Sequence, residues 1–480
     1  MRPSLSRAAA PLSVLFGLLA AMPFATAQEG ICIDCLQVRV GTPMVVRGPF
    51  PDELDAPLAA LRLADGRFRA FTANSTTYTV EGTSLFDLRG QRTPVLDAGP
   101  PGSINDCGRW LTSLARVEGA LLGLVHQEAD CDYNEGRTSK SLAIASSADD
   151  GLSWTDLGTV ISGRDRPRPG TITGEGDCSM IDGQDGYLYA YCLRNSDWQT
   201  IVARAPASDP TQWRKYLDGA WSEPGLGGEA TAIGFVGTGT AYMPERGWVV
   251  ATTTDRWFEG LRLSLSSDKV TFWDLDEPLI PIDGSDWARP AATDLIAYST
   301  MLDPATGSPQ IGDDFLLAYI YVPPGAGFES RYQVLQTVSL RLGDAPLAVQ
   351  AGLALTRWRE PETGQLVTSS GPMTGARQDY VVDSVLAYLL TRAPDDAPSV
   401  KLLECAQAGT DDIHLVPGHC TGKDQGLHRT AGWLYLEPQP GTLPLYACLH
   451  RGDGRQLLST DEQCEGLGLV QQRLGFGIAP

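Results

Sequence analysis

Histidine is scarce in this chain. Five are present among 480 residues, at 126, 414, 419, 428 and 450, and only His126 precedes residue 400. A Ser-His-Asp or Cys-His centre needs a base beside its nucleophile, and a catalytic zinc site rich in histidine needs several imidazoles, so both lack parts over most of the length. No GxSxG elbow occurs. Lysine is also scarce, five against 32 arginines, and neither forms a basic run. With a net charge of −21, this argues against a polyanion partner, nucleic acid included, because phosphate binding needs clustered cations. Past the N-terminus no stretch approaches the length of a membrane span, and no long stretch between about 55 and 345 has helical period. No P-loop or dinucleotide fingerprint joins a strand to a helix, so Gly237-Thr238-Gly239 reads as a turn.

Glycine (52) and proline (33) are plentiful, with 15 Tyr, 12 Phe and 11 Trp. That composition predicts a turn-rich all-β protein. Residues 1–27 read as a secretory signal: Arg2 and Arg7 start it, Leu12 to Met22 is apolar, and Ala25-Thr26-Ala27 supplies small residues for cleavage. A membrane anchor is the rival reading, disfavoured because the run is too short to span. A secreted or periplasmic location follows. All ten cysteines lie beyond the signal, and an exported, even-numbered set predicts disulfides. Local pairing gives 32–35, 107–131, 178–192, 405–420 and 448–464. Zinc is the alternative, but Cys32-x-x-Cys35 is half a site and no second CxxC exists.

A short segment, 28–51, holds the CxxC. From 52 to 345, short apolar strands alternate with Gly, Asp and Pro turns, in five groups near 52–90, 104–157, 174–217, 227–275 and 287–342. A repeated four-stranded sheet is a propeller blade, so the expected architecture is a five-bladed β-propeller; a β-sandwich gives no reason for the grouping. Ser147-Ala148-Asp149-Asp150-Gly151-Leu152-Ser153-Trp154 matches the Asp-box hairpin, and Ser266 to Trp273 is a degraded copy with Val270 where glycine belongs. Residues 346–398 read as a connecting segment. From 399 to 480 comes a small disulfide-stapled module of two repeats about 43 residues apart, each with a cysteine pair. It reads equally as a carbohydrate- or surface-attachment module and as a structural cap.

With histidine and metal chemistry short of ligands, carboxylates remain. Acidic residues stand at starts of first strands, where a propeller opens its channel: Asp55, Asp177 and Glu229, with Asp106 before Cys107. Two converging carboxyls can hydrolyse a glycosidic bond without metal or histidine, one protonating the leaving oxygen while the other activates water. The chain resembles the five-bladed glycoside hydrolases of the family 43 and family 32 type, within the wider group that shares Asp boxes with sialidases. The resemblance implies that Asp55 is the general base, Asp177 raises the pKa of the acid, and Glu229 is the general acid. Further substrate-binding candidates are His126 with Glu128, Arg109 with Trp110, Glu175 as rival to Asp177, and Trp287 with Arg289; Trp198 and Trp257 are additional aromatic platforms. No cofactor or metal is called for, with room left for a structural calcium ion.

The leading expectation is a secreted hydrolase of a neutral poly- or oligosaccharide, acting with inversion. The alternatives are a non-catalytic carbohydrate- or surface-binding propeller, whose acids need not converge, and, less favoured, a sialidase, since the F/Y-R-I-P signature is missing. Polysaccharide lysis needs a basic channel and is disfavoured.

Overall fold

The computed structural model describes residues 31–480 apart from 53, 255–259, 285, 407–411 and 421–427. The stretch read as a secretory signal, and Trp257, lie outside the described residues. Among the described residues helix is confined to three-residue 3-10 turns, and every longer element is a strand.

Antiparallel strand sets, labelled sheets I to V, follow in chain order; II and III are joined by a parallel pairing, Ile172 beside Thr138 and Gly174 beside Lys140. Sheet I holds Ala59–Arg62, Phe68–Asn74, Thr76–Gly82 and Thr93–Leu96. Sheet II holds Gly108–Val117, Ala120–Asp132, Arg137–Ser147 and Thr155–Ser162. Sheet III runs from Ile172–Asp182 through Tyr187–Arg194 and Gln199–Pro206 to Arg214–Leu217 and Ala220–Pro224. Sheet IV is built on Gly239–Met243, Trp248–Thr253 and Gly260–Ser266. Sheet V has Leu295–Leu302, Asp314–Val322 and Tyr332–Leu342. The outer strand of sheet V comes from the other end of the described chain: Leu36–Val40 pairs with it antiparallel, Val38 opposite Leu340. The CxxC segment therefore seals the last sheet.

The strands are buried on both faces because each sheet packs against a neighbour on either side. Every interface has its own apolar cluster: Leu61 and Phe71 with Leu111 and Val125 between I and II; Leu124 and Ile144 with Met180 and Leu188 between II and III; Tyr191 and Val202 with Tyr242 and Val249 between III and IV. Val250 and Leu263 meet Phe315 and Leu317 between IV and V. Leu58 and Ala60 meet Leu302 and Leu316 between V and I, which closes the circle. The first strand of each sheet lies at the centre. Hydroxyls tie neighbouring sheets together here: Ser113 accepts from Met180 N (2.8 Å), Ser179 from Thr240 N (3.2 Å), and Thr252, on the second strand of sheet IV, donates to Ser299 (2.9 Å).

The hairpin at Ser147–Trp154 closes on its own side chains. Gly151 N donates to Ser147 Oγ (2.7 Å) and Ser153 N to Asp149 Oδ1 (2.9 Å). Gly151 has φ +88°, and a Cβ there would lie 2.4 Å from Phe71 Cζ, so only glycine fits. In the copy at Ser266–Trp273, Lys269 takes the left-handed conformation and Val270 does not, which is how valine is tolerated.

All five disulfides pair as the spacing predicts. The segment 346–398 differs from its reading as a connector. It folds as Ala351–Arg359, Leu366–Ser369 and Val381–Leu390, a long-short-long set repeated at Ser399–Ala406, Ile413–Pro417 and His428–Tyr435, and at Thr442–His450, Gln456–Ser459 and Gly468–Ile478. The last strands of the three sets pair cyclically, Leu390 with Trp433, Tyr435 with Phe476 and Tyr388 with Ile478. Leu355, Leu402 and Leu445 share one core. The first set has no cysteines, so the cysteine pattern that marks the other two passes over it.

Candidate active site

Two of the predicted carboxylates, Asp55 and Asp177, lie within electrostatic range of each other and of Tyr298. Asp55 sits just before the first strand of sheet I, its N–H bonded to Ala73 O (2.8 Å). Its Oδ1 accepts from Tyr298 OH (3.2 Å) and pairs with Arg331 Nη1 (2.8 Å). Asp177 lies in the first strand of sheet III, where a bulge interrupts pairing between Gly176 and Ser179. Tyr298 occupies the corresponding bulge of sheet V, between Ala297 and Thr300. Both have left-handed backbones, φ +49° and +52°. A bulky residue there is strained, and such strain persists where the surroundings fix a side chain for a purpose. Here the Tyr298 hydroxyl reaches Asp55 and the Asp177 carboxylate reaches Lys140.

Behind Asp177 stands a buried network. The Asp177 N–H donates to His126 Nδ1 (3.0 Å), which leaves the ring proton on Nε2, facing Glu128 Oε1 at 3.1 Å. Lys140 Nζ lies 2.9 Å from Asp177 Oδ2 and 3.7 Å from Glu128 Oε1. Tyr133 and Thr138 hydroxyls donate to Glu128 Oε2 at 2.6 and 3.3 Å. Trp110 packs edge-on against His126, ring centroids 5.3 Å apart. Gly176 is obligatory here, since a Cβ would lie 2.7 Å from the His126 ring.

These surroundings separate the carboxyls electrically. Burial pushes Asp55 up to about 6; Arg331 and Tyr298 oppose the shift, while Asp177 and Glu128 add to it. Burial works against the Asp177 charge too, but Lys140 prevails and holds it below the usual carboxylate range. Glu128 is pulled down to about 2, its burial outweighed by its hydrogen bonds and Lys140. Lys140 is itself raised by Asp177 and Glu128 against the cost of burial. The Asp55 and Asp177 side chains stay 27 % and 26 % exposed, against 9 % for Glu128, so the first two face solvent and Glu128 supports them. Beside Arg331 opens a hollow of about 290 Å³, flanked by Phe50, Asn74 and Phe328. Trp287, 46 % exposed, stands edge-on to Tyr298 at 6.1 Å and beside Phe328 at 6.1 Å.

Glu229 does not join this cluster. It is exposed on the loop before sheet IV, ion-paired with Arg164. It lines a separate hollow of about 360 Å³ with Glu175 and Arg194. Glu175 is buried and paired with Lys215 Nζ at 2.6 Å; burial raises its carboxyl and lowers that lysine. Arg109 pairs with Asp156 at 3.9 Å and is absent from the central cluster. Arg289 donates to the carbonyls of Thr293, Pro323 and Ala326, stapling a loop. Sequence reasoning missed Tyr298, Arg331, Lys140 and Tyr133. The rarity of lysine was a usable signal for Lys140; nothing local marked Tyr298. Among the described residues no group of three or more His, Cys, Asp or Glu side chains is placed to hold a metal ion.

No protein-family model matches the chain, and no curated protein matches it. Among solved structures it is similar to an α-L-arabinofuranosidase from Lactobacillus brevis (12 % identity, 60 % of this chain and 92 % of that one, TM-score 0.41). It is likewise similar to a family 117 glycoside hydrolase from Zobellia galactanivorans (12 %, 65 % and 92 %, TM-score 0.42). A third is a thermostable family-43 glycoside hydrolase (11 %, 70 % and 95 %, TM-score 0.37).

Proposed function

We propose that the chain is a glycoside hydrolase whose five sheets are the blades of a propeller and whose reacting pair is Asp55 and Asp177. The observation that carries this reading is one pair of partly open carboxyls given opposite proton affinities by their neighbours. Glycosidic cleavage needs that pairing. Asp55 holds its proton through mildly acidic pH and delivers it to the leaving oxygen. Asp177, kept ionised by Lys140, takes the proton of an attacking water, so the product inverts at the anomeric carbon. His126 and Glu128 position Asp177 through its backbone N–H. These roles differ from those implied by the resemblance, in which Asp55 is the base and Glu229 the acid.

A neutral glycan suits a chain of charge −21 with acids around the site, and Trp287 and Phe328 offer faces for sugar rings. Convergence of the two acids favours catalysis over the purely binding alternative. The ten paired cysteines suit an oxidising compartment, and we infer export. The test is the pH dependence of kcat/KM on an aryl glycoside. Activity is expected to fall as pH rises through about 6, where Asp55 ionises, and to persist below pH 4, where an ordinary carboxylate would already be protonated. A rate that climbs through pH 6 would assign Asp55 as the base and overturn these roles.

A further inference from the structure

The two oxygens of Asp55 are not equivalent. Oδ1 takes both side-chain donors that reach this carboxyl, Tyr298 OH at 3.2 Å and Arg331 Nη1 at 2.8 Å. Oδ2 has no partner among the described residues and keeps its contact with solvent. Arginine can only donate, so Oδ1 must accept, and a proton on Asp55 belongs on Oδ2. Each donor is held in place separately. Arg331 Nη1 also donates to Leu54 O (2.9 Å), the carbonyl next to Asp55, and its guanidinium lies 4.8 Å from the centre of the Phe328 ring. The Tyr298 hydroxyl has Asp55 as its sole partner among the described residues. Burial and the nearby acids keep that hydroxyl protonated and a donor. The ring stands edge-on to Trp287, and the left-handed backbone lies in the bulge between Ala297 and Thr300.

A carboxylic acid that can carry its proton on either oxygen is ready to donate only part of the time. Two donors on one oxygen remove the unready form, which is the pre-organisation that positioned groups supply. The strained backbone of Tyr298 fits that use, since such strain persists only where the surroundings impose it. We propose that Tyr298 is a positioning residue which, with Arg331, makes Oδ1 the accepting oxygen of Asp55 and so confines the exchangeable proton to Oδ2. The inference rests on the proposed function for the use of that proton in glycosidic cleavage; the position of the proton does not depend on it. Among the groups facing Asp55, Arg331, Tyr298 and Lys140 favour its charge, Asp177 and Glu128 oppose it, and Tyr133 lies within range in its protonated form. Removing the Tyr298 hydroxyl takes away one favourable donor, so Asp55 then ionises at higher pH.

The test is Tyr298→Phe, which keeps the ring and deletes the hydroxyl. Its pH profile is measured on a neutral oligosaccharide that the intact chain cleaves, because a sugar leaving group needs the proton. The expected kcat is about fivefold lower on the acidic plateau, the worth of one hydrogen bond, with KM within about twofold. The falling limb near pH 6 should move up by about half to one pH unit. Urea unfolding from pH 4 to 8 reads the same ionisation without substrate. Its inflection should move up equally in Tyr298→Phe and vanish when Asp55→Asn is added. A lower kcat with an unmoved limb, or an unmoved inflection, would mark Tyr298 as merely structural and overturn the inference. Full turnover by Asp55→Asn, or no turnover by the intact chain, would overturn the proposed function instead. The unfolding inflection then decides alone: shifted in Tyr298→Phe it upholds the inference, unshifted it overturns it.

Discussion

Asp55 and Asp177 carry the same side chain and differ in their cations. Asp177 has a lysine at 2.9 Å with a second carboxylate behind it; Asp55 shares a single arginine with burial and two repelling acids. Because the folded state raises the Asp55 pKa, ionising it opposes folding. Stability from this group is full below the unfolded value near 4 and is lost as pH rises through about 6, by up to about 3 kcal/mol. Urea unfolding between pH 4 and 7 should show that fall, and Asp55→Asn should flatten it. Glu229 supplies the contrast. Its place after Gly227-Gly228 looks like a strand start, but the first strand of sheet IV begins only at Gly239, so Glu229 stays on the loop with Arg164. Glu229→Gln is expected to keep kcat/KM on an aryl glycoside within about threefold, the range of a residue outside the reacting pair. A loss of a hundredfold would restore it as the acid.

Strands and their turns were legible because alternation and Gly/Asp/Pro punctuation are local properties. An all-β chain was readable on that ground, and the disulfide pairs were readable because each closes a hairpin or short loop. Pairing partners far apart were not legible. Nothing in Leu36–Val40 says that it will lie between Tyr332–Leu342 and Ala351–Arg359, yet that placement seals sheet V and joins it to the repeats. The bulges at Asp177 and Tyr298 were silent too: aspartate tolerates a left-handed backbone but takes it in many turns, and tyrosine gives no sign of it. The sealing strand makes its own prediction. Leu36 is fully buried in the core shared by sheets IV and V, so Leu36→Ala should cost about 2–5 kcal/mol in chemical denaturation. A loss under about 0.5 kcal/mol would mean that the strand is dispensable to the closure.

At the scale of the molecule, residues at 55, 126, 140, 177, 298 and 331 become neighbours because the sheets follow one another around a common centre, to which the second and third strands of sheet II and the bulged first strands of sheets III and V contribute. Sheet I brings Asp55, sheet II the His126–Glu128–Lys140 group, sheet III Asp177, and sheet V Tyr298 with Arg331. The C-terminal repeats add a third hollow, of about 300 Å³, against sheet V. The most direct measurement of the central claim is release of sugar from a panel of neutral aryl glycosides and polysaccharides by the intact protein, by Asp55→Asn and by Asp177→Asn, with circular dichroism confirming that all three are folded. The account predicts turnover of at least one substrate by the intact chain and a loss of about a hundredfold or more in each variant. Undiminished turnover by either folded variant would contradict it.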